Sequence, residues 1–476
     1  PARASRTHRA PVGALPVPWG ARRGAGMTDI DIEALGQRTL ELVAGRAEAA
    51  VTVTRVQEGL TRFANSFIHQ NVGDEHVSVA LEVVAGGRRA AASTTRTGDD
   101  ALARLVEATI EAAAVQPVDD RWPGLAEPAP MVGDPRGHLD PATAAAGPGE
   151  RADVVAAFVD AGGGLEAAGY CETAVIHRLF ANSGGQRLEA SATSAAVDGI
   201  HRLGRADGSA SALSSRLGDL DGGAVGAVAA DAARRGAEPI ELAPGRYEVI
   251  LEPRCVAYML DFFTVYGFNA RAVREGRSFA SVGEQQLDES LAIWDDVTDP
   301  RQVGIAFDAE GTPKRRVDLV DAGRILGLTH DRRTAAMAGG DTVSTGHAVP
   351  GGSTSGAIAT NLFVVGATSS PVGELIGRVK RGLLVRDFWY TRVLDPKTLV
   401  VTGLTRNGVF LIEDGRVGPA VTNLRFTQSP VAAFGPGQVL GVGNDAVLAP
   451  GGLHVSWHHA PTLHLAAWNF TGNASG

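Results

Sequence analysis

The chain has 476 residues, is 44% hydrophobic and carries a net charge of −9, so it can fill the cores of two or three domains, while its acidity disfavours nucleic acid as a main partner. No run approaches the roughly 18 uninterrupted apolar residues of a membrane-spanning helix, which excludes a helical membrane protein. Two cysteines, Cys171 and Cys255, allow at most one disulfide and too few thiolates for a structural zinc site, as expected in a reducing cytoplasm.

The first segment, "PARASRTHRAPVGALPVPWGARRGAG", holds five Arg and no acid. It has no apolar stretch ahead of a small-residue cleavage site, so cytoplasmic residence is the expectation. Met27 then opens an acidic, helix-like pattern and reads as the natural start, which makes residues 1–27 a disordered or non-native tail. A nucleic-acid-binding arm is the functional alternative for that tail.

The clearest internal signal is a repeat. Phe63-Ala-Asn-Ser66 recurs as Phe180-Ala-Asn-Ser183, 117 residues later. Each copy ends a strand-like run, "AAVTVTRVQEGLTRFANS" or "YCETAVIHRLFANS", and returns in alternating strands, "HVSVALEVVAGGRRAAAST" or "QRLEASATSAAVDG". Helical patterns precede the copies at "DIEALGQRTLELVAG" and "ERADVVAAFVDAGGG". They follow them at "ALARLVEATIEAAAV" and "GAVGAVAADAARRG". Two similar halves about a pseudo-twofold axis follow, with Asn65 and Asn182 at corresponding turns. Asn and Ser suit a turn through side-chain bonds to the backbone, and contact with a ligand is the alternative for the pair. The Pro- and Gly-rich stretch between the copies reads as an extended connector.

From about Ile240 the chain becomes short strands broken by Gly, Pro, Asn and Asp: "RYEVILEP", "LAIWDDV", "GIAFDAEG", "RRVDLVDAGRILGLTH", "NLFVVGA", "LLVRDFWYTRVL", "LVVTGLTRNGVFLIEDGRV" and "HLAAWNFTG". The predicted class is α+β, with a duplicated strand-helix N-terminal domain over residues 28–238 and a β-rich C-terminal domain over 239–476. With 60 Gly and 5% aromatics, small-residue packing and many turns are expected.

Catalytic motifs are sparse. "GGSTSG" places Thr354 where a nucleophile elbow needs Ser. "GVGNDA" imitates a dinucleotide fingerprint but leads into no helix that would face a pyrophosphate. His454, His458, His459 and His464 crowd "GGLHVSWHHAPTLHL". In a strand, His454 and His458 would lie about 13 Å apart, too far for one ion, so these read as exposed strand histidines. Asp295-Asp296 and Asp299 read as the end of a strand and a turn. The stretch "YMLDFFTVYGF" (residues 258–268) reads as a buried helix entered from the strand "RYEVILEP", a common mount for catalytic side chains, yet its sole carboxylate is Asp261 and it has no His.

The paired "FANS" units, "APGRYEVILEP", "VREGRSF", "GTPKRRVDLVDAGRILGLTHD", "STGHAVPG" and the terminal "WNFTGNASG" together resemble the TldD/PmbA family, whose members pair as a metalloprotease of two related subunits, TldD and TldE. The resemblance implies the duplicated α/β region and β-rich C-terminal domain. It also implies that a catalytic member carries His-Glu-x-x-x-His on the helix after the "PG" strand, with a later Cys completing the zinc site. Laid on this chain through Pro253 and Leu260, the motif places its first His at Asp261, its Glu at Phe262 and its second His at Tyr266, and no Cys follows Cys255. Two His on consecutive helical turns would face one ion and the Glu would activate its water, so these substitutions remove the chemistry.

The resemblance therefore implies a TldE-like chain with no catalytic or metal-binding residues of its own. Its partner would be a TldD-like homologue holding the zinc, its substrate an unfolded peptide, and neither nucleic acid nor a membrane would be involved. Phe262 and Phe263 would be core or interface. The rival readings are a stand-alone hydrolase of peptide or amide conjugates with an unrecognised site, and a homodimeric binding module.

Overall fold

The structure is a computed structural model that describes residues 30–350, 355–453 and 456–473. The Arg-rich tail, Thr354 and His454 lie outside the described residues.

Both repeats fold as expected. The first comprises α1 (Ile32–Val43), β1 (Glu48–Ala64), β2 (Phe67–Ala85), β3 (Arg88–Thr94) and α2 (Asp99–Ala114). After the connector with its short α3 (Pro141–Ala144), the second comprises α4 (Pro148–Ala161), β4 (Glu166–Asn182), β5 (Arg187–Leu203), β6 (Ala206–Ser214) and α5 (Gly222–Arg235). The helices begin where capping chemistry allows. The Asp31 carboxylate accepts from the amides of Glu33 and Ala34, and that of Asp221 from Ala224.

The six strands form one antiparallel sheet in the order β3-β2-β1-β4-β5-β6. At its centre Gln57 pairs with Val175 and Glu58 with Ala174. The 117-residue offset equates Gln57 with Ala174 and Glu58 with Val175, so the pairing maps onto itself and a pseudo-twofold axis passes between β1 and β4.

The recurring Ser has a structural reason. The Ser66 hydroxyl accepts from the Ala167 amide (3.0 Å), and the Ser183 hydroxyl accepts from the Ala49 amide (3.0 Å), so each repeat secures the start of the other's central strand. The two Asn differ. Asn65 and Ser66, at φ 50 and 63, form a left-handed two-residue turn of the kind Asn favours. Asn182 is buried, donates to the Ala126 carbonyl (2.8 Å) and accepts from the Gln186 amide (3.0 Å). In both copies these are turn-building residues.

All four long helices cover one face of the sheet. α1 buries Ile32 and Val43, and α2 Leu102 and Leu105, against Val51, Val53, Val79 and Leu81, while α4 and α5 enclose Phe158 with Phe63, Val197 and Ala229. The Gly and Ala bias of α5 follows from its contact with α4, because a Cβ at Gly226 would lie 2.3 Å from the Phe158 carbonyl oxygen. On the opposite face, Ala50, Phe180, Leu188 and Ala190 meet Ile305 and Phe307 of the C-terminal region.

That region contains a six-stranded and a nine-stranded sheet. In the larger one, β7 (Gly245–Leu251) runs parallel to Arg381–Val385 and antiparallel to Leu463–Asn473. α6 (Pro253–Phe262) leaves β7 through Pro253 and contacts strands of both sheets, which places Val256, Met259 and Leu260 in their common core.

Two predicted strands differ. "GIAFDAEG" forms no strand; its alternation is broken where the buried Asp308 carboxylate gathers the amides of Glu310, Thr312 and Ala348 and turns the chain. "LLVRDFWYTRVL" divides into Arg381–Val385 and Phe388–Asp395, since Asp387 turns its side chain to Arg254, 3.2 Å away. No helix among the described residues is long and apolar enough to cross a membrane.

Candidate functional site

α6 is followed directly by a single π turn, Phe263–Gly267, a local widening often found at functional sites. Asp261 is fully buried on the last turn of α6. Its Oδ2 accepts from the Leu453 amide (2.6 Å), and its Oδ1 from the Ser456 hydroxyl and from His458 Nε2 (3.1 Å). The Leu362 amide donates to His458 Nδ1 (3.2 Å), which fixes the imidazole proton on Nε2, toward Asp261. Gly451 is needed beside this carboxylate because a Cβ there would lie 2.1 Å from Asp261 Cγ. Asp261 thus ties α6 to the chain entering the strand Trp457–Ala460.

Ser456, His458 and Asp261 are the residue types of an acyl-transfer triad, but the arrangement is not one. A general base must offer a free nitrogen to the serine hydroxyl. Here the Leu362 amide occupies His458 Nδ1, so Nε2 carries the proton; although Nε2 lies 2.8 Å from Ser456 Oγ it has no lone pair to accept the serine proton, and the Ser456 hydroxyl donates to Asp261 instead.

Phe262 is 1% exposed, with its ring 6.3 Å from that of Tyr258. Phe263 stacks on Phe434 at 5.6 Å, and Tyr266 is partly buried against the same core. Of the two sequence expectations for Phe262 and Phe263, core holds.

Residues 244–472 match the profile of the PmbA/TldA metallopeptidase C-terminal domain. That places the C-terminal domain, residues 244–472, in the PmbA/TldA family. Solved structures of similar fold include TldE from Thermococcus kodakarensis, at TM-score 0.80 and 17% identity over 92% of this chain and 99% of that one. Two others are described as putative modulators of DNA gyrase. The Thermotoga maritima protein has TM-score 0.79 and 16% identity over 93% of this chain and 100% of its own. The Bacteroides thetaiotaomicron protein has TM-score 0.77 and 18% identity over 92% of this chain and 98% of its own. No curated protein sequence matches the chain.

The zinc of this metallopeptidase family does not fit the residues at Asp261, Phe262 and Tyr266. The Asp261 carboxylate is committed to an amide, a hydroxyl and an imidazole. Phe262 offers no donor atom. Among the described residues no three His, Cys, Asp or Glu side chains are grouped so as to hold a metal ion.

The C-terminal histidines correct one expectation. His458, His459 and His464 do lie on strands, but His458 and His464 are buried rather than exposed. His464 Nε2 meets Glu248 Oε1 at 2.6 Å, and the His459 ring lies 5.2 Å from that of Phe363. Coverage by α6 and by the paired strands on either side makes this segment interior.

Sequence reasoning missed a second buried cluster. Asp295, read only as a strand end, holds His347 Nε2 at 2.8 Å on Oδ1 and the Asn361 amide at 2.7 Å on Oδ2. His347 Nδ1 lies 2.9 Å from Thr345 Oγ1. Burial pushes the Asp295 carboxyl up, but His347, by charge and hydrogen bond, with Lys314 and the Asn361 amide, outweighs it and brings the value down to about 2. The one local signal is the segment "STGHAVPG", which carries His347.

Glu310 goes the other way. Burial, with the neighbouring Asp308 carboxylate, pushes it from 4.5 to about 7. The folded state then holds a proton that the unfolded chain releases, so this group's contribution is fully present below pH 4.5 and is lost as pH rises to about 7. Glu310→Gln mimics the protonated form, and its Tm relative to the parent should rise steadily between pH 4.5 and pH 7. A constant offset in paired thermal scans would contradict this.

Proposed function

We propose that this chain is the metal-free, TldE-like subunit of a two-subunit metalloprotease. It pairs in the cytoplasm with a TldD-like homologue that holds the zinc, and the two close a chamber in which unfolded peptides are cleaved. The observation that carries this reading is the state of the last turn of α6. The position of the first metal-binding His is Asp261, fully engaged in hydrogen bonds. That of the Glu is Phe262, buried in the core, and that of the second His is Tyr266. Such a helix transmits packing and cannot activate water.

Sheet edges support peptide handling by strand addition, since backbone hydrogen bonding holds extended chains with little demand on sequence. The strand Phe388–Asp395 lies at the edge of the nine-stranded sheet, with Trp389, Tyr390 and Leu394 exposed. The test is co-expression with a homologue bearing His-Glu-x-x-x-His, followed by size exclusion. The two chains should co-elute and cleave an unfolded peptide together; separate elution at micromolar concentration would contradict the pairing.

A further inference from the structure

An open depression of about 790 Å³ lies on the C-terminal region. Phe279 forms part of its wall and packs edge-on against Phe263 (5.5 Å) and Phe268 (6.2 Å), so the depression adjoins the core that holds the end of α6. Val431 and Pro436 add apolar surface.

Much of the polar wall is already committed. The Ser278 hydroxyl donates to the Gly267 carbonyl, and the Ser429 hydroxyl to the Thr398 carbonyl. The Gln286 side chain accepts from the Ser281 amide and donates to the Phe279 carbonyl. These bonds hold the wall in shape.

Four lining side chains remain without a hydrogen bond or ion pair among the described residues: Arg246, Lys397, Ser281 and Gln438. Two are full positive charges. No Asp or Glu lines the depression, in a protein whose net charge is −9. Asp395, beside Lys397 in sequence, is turned to the Lys397 amide (3.0 Å) and the Thr398 hydroxyl (2.5 Å). Two cations lining one concave surface with an apolar wall, with Asp395 the charge acting on Lys397 from outside the lining, favour a ligand that is anionic at one end and apolar along its length.

We infer that this depression binds a peptide carboxylate, with Arg246 and Lys397 on the charge, Ser281 and Gln438 as further hydrogen-bonding groups, and the peptide's apolar side chains against Phe279 and Val431. Arg is suited to a carboxylate because its planar fork can donate two parallel hydrogen bonds. An open depression admits the end of a flexible chain without enclosing it. The inference deepens the peptide-handling reading, but its test uses the isolated full chain, so failure to pair with a TldD-like homologue would leave the result interpretable.

The probes are an acetylated apolar hexapeptide with a free C-terminal carboxylate, the same peptide as its C-terminal amide, the amide with one internal Glu, and inorganic phosphate. Binding is measured by calorimetry at low salt. The free acid should bind about tenfold more tightly than the amide. The double variant Arg246→Gln, Lys397→Gln should abolish that difference at unchanged Tm, and phosphate should compete weakly. If the internal Glu restores affinity to the amide as fully as the terminal carboxylate does, the source is an acidic side chain and the carboxylate site stands. Equal affinity for acid and amide, no detectable binding of the acid, or a difference that survives in the double variant would each overturn the inference.

Discussion

Installing Asp261→His, Phe262→Glu and Tyr266→His together is expected to give a less stable protein with no peptidase activity, although it writes the His-Glu-x-x-x-His pattern onto α6. Phe262 is 1% exposed within an aromatic core, so a Glu there either buries an unpaired carboxylate or opens the packing. That costs on the order of 2–5 kcal/mol. Loss of the Asp261 carboxylate adds to this by leaving the Leu453 amide, the Ser456 hydroxyl and His458 Nε2 without their common acceptor. No Cys follows Cys255 to complete the ligand set, and the groups around position 261 are arranged to donate to a carboxylate rather than to orient a metal-bound imidazole. Thermal midpoint and cleavage of an unstructured peptide with added zinc are the readouts. Chelator-sensitive cleavage at an unchanged midpoint would mean that the helix is a latent active site.

The second large effect is expected at the Asp295–His347 pair, where both side chains are fully buried. His347→Ala leaves the Asp295 carboxylate in the interior with the Asn361 amide as its remaining hydrogen-bond donor. Breaking one side of such a pair typically costs about 3–5 kcal/mol. The pH dependence has a definite sign. The Asp295 carboxyl sits at about 2 in the fold, below its usual 3.8, so the stability it contributes is present above pH 3.8 and is lost as pH falls toward 2. Urea denaturation at pH 7 should show the full loss for the variant, and the gap to the parent should narrow as pH falls from 3.8 toward 2. A loss below about 1 kcal/mol at pH 7 would contradict the assignment, since that is the range of an exposed pair.

How far the sequence could be read depended on whether the signal was local. The duplication was legible because Phe63–Ser66 and Phe180–Ser183 repeat within matching strand and helix periods; the register that pairs Glu58 with Ala174 was not, because every antiparallel register of the two central strands satisfies the twofold. α6 was legible because an alternating strand runs into Pro253, a residue favoured at the first helical position. The burial of His458 was not, because a single sequence shows alternation along a strand but not what covers each face; α6 and the strands Leu362–Gly366 and Val447–Pro450 do so here. "GIAFDAEG" alternates like a strand, yet the side chain of Asp308 bends it. Asp295 and His347 are separated by 52 positions and carry no mutual spacing rule. Asp261 was identified as a replaced position, but its three partners lie near the end of the chain, beyond the reach of local pattern.

The central claim of the proposal is that this chain contributes structure and a TldD-like partner contributes the metal. The most direct test is to purify the co-expressed pair, separate the chains under mild conditions, and measure zinc content and peptide cleavage for each chain and for the recombined pair. The expected result is zinc in the His-Glu-x-x-x-His chain alone, no cleavage by the present chain, and restored cleavage on recombination. Zinc retained by the isolated present chain, or chelator-sensitive cleavage by it after complete removal of the partner, would contradict the account.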